Sequence, residues 1–196
     1  RKDNIMAKTV TKTGATALLI TNVKYLVATL LDSKGAEGNS YIFEHILKDT
    51  VSMQQDDNDT TTIDNEVSDE PIKEIVRLGK WNVAATIEDV QKDLLVNMCG
   101  FKTSTDGKKV FAPASYTERF AKIAVALDGG VDSDGTQKLV AFVMPKVQLN
   151  TKMILESLST SMAGFSLAGT GRSIEVESGK PTPFYVDTEY TLPTAG

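Results

Sequence analysis

Apolar and polar residues alternate at every second position along most of this chain. Successive side chains on a β-strand point to opposite faces of the sheet, so this period predicts strands with one buried face. It is clearest in residues 81–87, 120–127 and 139–149. The last segment contains Pro145, which cannot donate a hydrogen bond to a neighbouring strand, so we expect an edge, a bulge or a break there. The pattern predicts a mainly β protein.

One α-helix is expected between the strands. Its apolar face is formed by Val90, Leu94 and Met98, which recur at every fourth position. Thr86 is expected to cap the N-terminus of this helix, and Gly100 is expected to end it.

The remaining segments are read as strands and turns. Residues 41–47 fit a short helix as well as a strand, and residues 128–135 are dense in aspartate and glycine, which predicts a hairpin loop. Alternation returns in residues 184–191. No repeat and no linker divides the chain, so we expect a single domain over residues 1–196.

Charge and composition exclude several functions. Lys and Arg number 21 against 26 Asp and Glu, so the net charge is −5. Proteins that bind nucleic acid through its phosphates carry the opposite sign of charge. His45 and Cys99 are the only histidine and cysteine, and most hydrolytic and zinc mechanisms need more. We expect partial burial of His45 and a packing role for Cys99. No apolar run approaches the roughly 18 residues of a membrane span. We predict no enzyme, no cofactor and no membrane contact.

The most unusual segment is acidic. Residues 49–72 contain eight aspartates and glutamates and no lysine or arginine. A calcium loop that started at Asp57 would need glycine at its sixth position and glutamate at its twelfth, where Thr62 and Ser68 stand. A loop that started at Asp132 fails the same test. We therefore predict a solvated acidic loop or edge at residues 49–72 and a polar hairpin tip around Asp132, rather than metal sites.

Because the sequence contains no group of residues that predicts catalysis, the edges of the predicted sheets are the feature that bears most on function. Edge strands expose unpaired N–H and C=O groups, which proteins either block or use to join subunits. Strand patterns reach almost to the C-terminus of this chain. This favours a subunit that completes its sheets with copies of itself in a closed ring.

The order of features resembles that of phage major tail tube proteins, a family that includes the tubes of contractile injection machines. The resemblance covers residues 11–171 and is carried by the pattern of elements. These elements are a strand pair within 17–31, a strand at 52–55 leading into the acidic loop, the segment 63–66, the strand 81–87, the helix 90–99, and a closing pair at 143–149 and 164–169. Residues 172–196 form a C-terminal extension that this pattern does not require.

The resemblance implies a β-sandwich or partly open barrel with one flanking α-helix. It also implies a structural virion protein that self-assembles into hexameric rings, stacked into a tail tube for DNA ejection. The expected partners are other copies of the chain and tail proteins such as the tape measure or sheath, in the virion tail assembled in the bacterial host cytoplasm. DNA would pass without specific binding, since an acidic lumen repels phosphates. The acidic loop would contact the next ring or line the lumen through Asp56, Asp57, Asp59, Asp64, Glu66, Asp69 and Glu70.

Two other classes of function stay open. One is a monomeric β-sandwich binding module that recognises carbohydrate or peptide on a bacterial surface, and it predicts an exposed aromatic platform. The other is an enzyme with paired carboxylates, and it predicts a pocket where two acids converge with raised pKa values.

Overall fold

The computed structural model describes residues 21–65, 68–88, 90–131, 137–155 and 163–194. In chain order, its elements are β1 (Thr21–Leu31), β2 (Glu37–Phe43), β3 (Ser52–Gln55), β4 (Asp59–Asn65), β5 (Ser68–Arg77), β6 (Trp81–Ile87), α1 (Lys92–Asn97), β7 (Lys102–Thr103), β8 (Val110–Phe111), β9 (Phe120–Val131), β10 (Gln137–Leu149), β11 (Lys152–Ile154), β12 (Gly164–Gly171), β13 (Ile174–Glu177), β14 (Lys180–Thr182) and β15 (Tyr185–Asp187). The expectation of a mainly β chain with a single helix is confirmed for these residues.

One large antiparallel sheet organises the molecule. Its strands follow the order β2-β1-β9-β10-β12-β6-β3, with β11 paired to β12 and β15 paired to β10. Three separate two-stranded sheets are formed by β4–β5, β7–β8 and β13–β14. The large sheet is not a closed barrel. Its ends approach each other at one point, where Ile46, just beyond β2, forms an isolated bridge with Ile87 of β6.

The sequence predicts an edge, a bulge or a break at Pro145, and the structure has a bulge there. The register between β9 and β10 shifts between Met144 and Val147. Before the shift, β10 pairs with β15 through residues 141–143, and after it β10 pairs with β12 through residues 147–149. The bulge therefore lets a proline occupy a central strand and marks where β10 changes partners on that side.

Both faces of the sheet carry apolar clusters. The larger cluster is closed by the helix residues Leu94 and Met98, and Phe165 at its centre is fully buried with its ring edge-on to Phe43 at 5.8 Å. The smaller cluster on the other face consists of Val27, Ala124, Ala126, Ala141 and Val143. Tyr185, Tyr190 and Leu192 of the C-terminal residues pack against it.

The predicted cap of the helix is wrong. Thr86 belongs to β6, where it pairs with Ser166 of β12, and its N–H donates to the Thr50 hydroxyl. The cap residue is instead Gln91, whose side chain makes no capping hydrogen bond. The sheet pairing of residues 81–87 takes the backbone groups that a helix starting at Thr86 would need, so the helix begins later.

The end and the buried face of the helix agree with the sequence. Leu94 and Met98 are buried, whereas Val90 precedes the first turn. Gly100 has a φ of 81°, the left-handed conformation that commonly follows a helix, and the Phe101 N–H donates to the Leu95 carbonyl at 3.0 Å.

Three loop and strand assignments are corrected or shortened by the structure. In residues 41–47, the helix alternative is wrong, because β2 extends to Phe43 and Ile46 forms a strand-type bridge. Residues 128–131 of the predicted loop belong to β9 instead, and Asp132 and Asp134 lie outside the described residues. Only Tyr185–Asp187 is a strand within the predicted segment 184–191.

Burial of two tyrosines predicts how the C-terminal residues respond to alkali. Burial raises the pKa of Tyr190 to about 12, with the neighbouring Tyr185 as the next cause, and burial also raises the pKa of Tyr185. Unfolded tyrosine ionises near pH 10. The stability that these protonated side chains supply is therefore complete below pH 10 and is lost as the pH rises toward 12. We expect residues 184–194 to detach in that interval, measured by tyrosinate absorbance and limited proteolysis.

The matched variant for this experiment is Tyr190→Phe. It keeps the ring but has no hydroxyl to ionise, so its C-terminal residues should detach less between pH 10 and 12 than those of the wild type. An identical alkaline response in both proteins would show that Tyr190 ionisation is not the cause.

Candidate functional site

The acidic segment is a β-hairpin and not the expected loop. Asp56 and Asp57 lie between β3 and β4, Asp59 begins β4, and all three side chains are exposed. Asp64 lies in β4, and Asp69 and Glu70 lie in β5; their side chains and all of Glu66 are outside the described residues. The strands form because consecutive β-branched residues, Thr60–Ile63 in β4 and Ile75 and Val76 in β5, favour an extended backbone. We refer to β4 and β5 together as the ribbon.

The ribbon is exposed on both faces. One face carries Thr61 opposite Ile75, and the other carries Thr60 opposite Val76. The side chain of Ile63 is 45% exposed on one face and that of Val76 is 58% exposed on the other, so neither face is covered. Leu78, just beyond β5, is 78% exposed. The two strands pair only with each other in the described sheets.

The base of the ribbon is anchored to the large sheet. The Asp56 N–H donates to the Lys80 carbonyl at 2.9 Å, and the Asn82 side-chain amide donates to the Asp56 carboxylate at 2.8 Å. The Gly79 N–H donates to the Asn58 side chain at 3.1 Å, and a Cβ on Gly79 would overlap the Asp56 carbonyl oxygen. The ribbon therefore leaves the sheet at a defined point beside β3 and β6.

An exposed ribbon of this kind is stabilised weakly by itself. A two-stranded hairpin without a packed face is at best marginally stable in water, and clustered exposed apolar side chains mark interaction sites. Exposure of Ile63, Val76 and Leu78 on a projecting ribbon thus predicts a macromolecular partner that covers it.

The large sheet also ends in two open edges. β2 at one end pairs only with β1, and β3 at the other pairs only with β6 within the described strands. A groove of about 610 Å³ runs beside β2 and is lined by residues 38–42 with Asp93, Pro193 and Thr194. These edges present backbone groups that an additional strand can pair with.

The two residues considered for nucleophilic chemistry lie in ordinary surroundings. The side chain of His45 is exposed, so its expected partial burial is wrong; its carbonyl accepts the Glu88 N–H, which pairs this backbone with the sheet while the ring lies outside. Cys99 packs against the larger apolar cluster, as expected, and burial raises the pKa of its thiol. A raised pKa keeps the thiol protonated and weakly nucleophilic at neutral pH.

Other features bear on the alternative functions. A groove of about 650 Å³ over β6 and β12 is lined by residues without carboxyl groups, among them Asn82, Tyr116 and Thr170. Trp81 is not a free aromatic platform, because its ring stacks on Phe184 at 4.2 Å. In the part of the chain that the structure describes, no group of three His, Cys, Asp or Glu side chains could hold a metal ion. The described helix falls short of the length and hydropathy of a membrane span.

Comparison with known proteins finds similarity to solved structures alone. No protein-family model and no curated protein matches this chain. A chain in the cryo-electron microscopy structure of the anti-feeding prophage (AFP) baseplate, 6-fold symmetrised, is similar over 87% of this chain and 97% of its own length. The sequence identity is 9% and the TM-score is 0.36.

Proposed function

We propose that this protein is a structural subunit that assembles with copies of itself into stacked rings, the tail tube of a phage or of a related injection machine. The observation that carries the proposal is the ribbon, a β-hairpin projecting from the sheet with both faces exposed. A protein whose function is assembly needs such surfaces to be free in the isolated subunit and covered in the complex.

The open edges provide the second part of the assembly. β2 and β3 lie at the two ends of one sheet, so the β3 edge of one copy can pair with the β2 edge of the next. Repeating this contact by a rotation produces a continuous sheet, and closing the ring removes every free edge. The hexameric stoichiometry of this proposal comes from the resemblance to tail tube proteins.

The negative net charge of the subunit favours a tube through which DNA passes without binding. With a net charge of −5, the subunit presents a negative field that repels phosphates, so DNA moves through the tube without specific binding. The proposed role is structural and needs neither a catalytic residue nor a cofactor. Tape measure or sheath proteins are the further partners in the virion tail, which is assembled in the bacterial host cytoplasm.

The particle mass tests this proposal. Light scattering across a concentration series should show masses that are multiples of the 21.2 kDa subunit, and negative-stain images should show rings or tubes. Higher protein concentration drives the distribution toward longer particles because association is governed by mass action. A species that stays at 21.2 kDa at every concentration contradicts the proposal and favours the monomeric binding module.

A further inference from the structure

A row of uncharged polar side chains crosses one face of the large sheet. Asn82 of β6 pairs with Thr170 of β12, which pairs in turn with Gln148 of β10. Gln54 of β3 continues the row on the other side, because it pairs with Asn82. The Thr170 hydroxyl donates to the side-chain oxygen of Asn82 at 3.1 Å. Since neighbouring strands lie about 4.8 Å apart, hydroxyl and amide groups recur at that spacing along the row.

The row lies on the face opposite the larger apolar cluster. Side chains alternate between the two faces of a strand, and Val83 and Leu167 carry the buried face of β6 and β12. Between the rows of polar side chains, Ala84 pairs directly with Ala168, and these small side chains leave the sheet surface low. Both alanines line the groove of about 650 Å³ described above, whose described lining contains no acidic or basic residue.

The amide groups of the row are held in fixed orientations. The Asn82 amide donates to the Asp56 carboxylate at 2.8 Å. The Gln148 amide donates to the Glu118 carboxylate at 2.9 Å and accepts a hydrogen bond from the Arg172 guanidinium. A side-chain amide has two N–H donors and an oxygen with two lone pairs, so each of these amides keeps a donor and an acceptor for a ligand. The groups that face the groove are therefore oriented before any ligand arrives, which lowers the entropy cost of binding.

Tyr116 adds an aromatic surface to the same groove. Its side chain is 61% exposed, and its hydroxyl donates to the Leu149 carbonyl at 3.0 Å. This hydrogen bond ties the end of the ring to the strand that carries Gln148. A tyrosine ring offers a large, rigid contact area at a low cost in conformational entropy. The groove thus combines one apolar ring with a row of neutral hydrogen-bonding groups.

The chemistry of this lining distinguishes between classes of ligand. A nucleic acid is bound mainly through its phosphates and requires lysine or arginine, which the described lining does not contain. The buried centre of a protein interface is apolar, whereas the side chains of the row are amides and a hydroxyl beside alanines. A neutral sugar carries hydroxyl groups that both donate and accept hydrogen bonds, and an apolar C–H face that packs on an aromatic ring. Neutral sugars therefore match both parts of the groove.

We propose that this groove binds a neutral oligosaccharide. The ring of Tyr116 packs against the apolar face of one sugar, and Asn82, Thr170 and Gln148 form hydrogen bonds with sugar hydroxyls. The inference goes beyond the proposed self-assembly and does not depend on it, because the residues that line the groove do not belong to the open edge strands β2 and β3.

Calorimetric titration of the full chain tests the proposal. The probes are three neutral tetrasaccharides, namely maltotetraose, cellotetraose and chitotetraose. We expect at least one of them to bind with a Kd of about 1 mM or tighter. Tyr116→Ala removes the aromatic surface and should weaken that binding by about tenfold. Thr170→Val keeps the shape of the side chain but loses its hydroxyl, and should weaken binding by about fivefold.

The matched control is Phe111→Ala, which removes an exposed aromatic side chain that does not line the groove and should bind as the wild type does. Thermal unfolding of every variant checks that the fold is intact. Failure of all three tetrasaccharides to bind, or wild-type affinity in Tyr116→Ala, overturns the proposal. Displacement of the bound sugar by an oligothymidylate overturns it in favour of a nucleic acid site. Self-assembly is judged separately, from the particle mass.

Discussion

Replacing residues 58–78 with an Asn-Gly turn is expected to abolish tubes while leaving the subunit folded. The ribbon pairs only with itself among the described strands, so its removal takes no strand from the large sheet. Asp57 and Gly79 lie close together, since Gln55 and Trp81 are paired directly below them, and a two-residue Asn-Gly turn fits such a junction. Without the ribbon, the surface proposed to join successive copies is gone.

The measurements for this variant are the melting temperature and the particle size. We expect a melting temperature within about 2 °C of the wild type, because a change of that size corresponds to less than about 1 kcal/mol in a chain of this length. Negative-stain images should contain no particle longer than a single ring. The matched point variants are Leu78→Asp on the ribbon and Val186→Asp on β15, two exposed apolar positions. Only the first should impair assembly, and tubes of normal length without the ribbon would contradict the proposed function.

Replacing Phe165 with alanine is expected to lower the free energy of unfolding by about 3–5 kcal/mol. Phe165 is fully buried in β12 between β6 and β11, and its ring meets Phe43 of β2 edge-on. It thus connects strands from opposite ends of the sheet through one apolar cluster. Truncation removes its transfer free energy and leaves a cavity that the neighbouring strands fill only partly.

Denaturant unfolding measures the effect of the Phe165 variant. The control is Val176→Ala, an exposed apolar side chain in β13, for which we expect a change within about 0.5 kcal/mol. A loss below about 1 kcal/mol at Phe165 would mean that the larger cluster does not carry the stability of the fold.

The strands and the buried helix face follow from local patterns. Residues 81–87 are the whole of β6, with Val83, Ala85 and Ile87 buried, because a period of two leaves no other way to bury one face. Gly100 ends the helix because a left-handed residue costs glycine little. The start of the helix could not be read locally, since Thr86 is held in the sheet by Ser166, eighty residues further along the chain.

The candidate site was predictable in composition but not in shape. The acidic residues identify the segment, yet the sequence alone suggests a solvated loop, because charge dominates its local pattern over the threonines at 60–62. The composition of this segment does not show that it forms a separate two-stranded hairpin with exposed apolar side chains, which only the strand pairing and burial reveal.

The amino-acid sequence by itself determined the mainly β fold class, the strands within residues 81–87, 120–127 and 139–149, the apolar face of the helix and the charge of the acidic segment, because each depends on neighbouring residues. Only the tertiary structure decided which strands lie side by side, that Pro145 lies in a bulge of a central strand, and that the acidic segment forms a separate hairpin with exposed side chains on both faces. Those outcomes depend on hydrogen bonds and packing between residues far apart in the chain, and no local period records them.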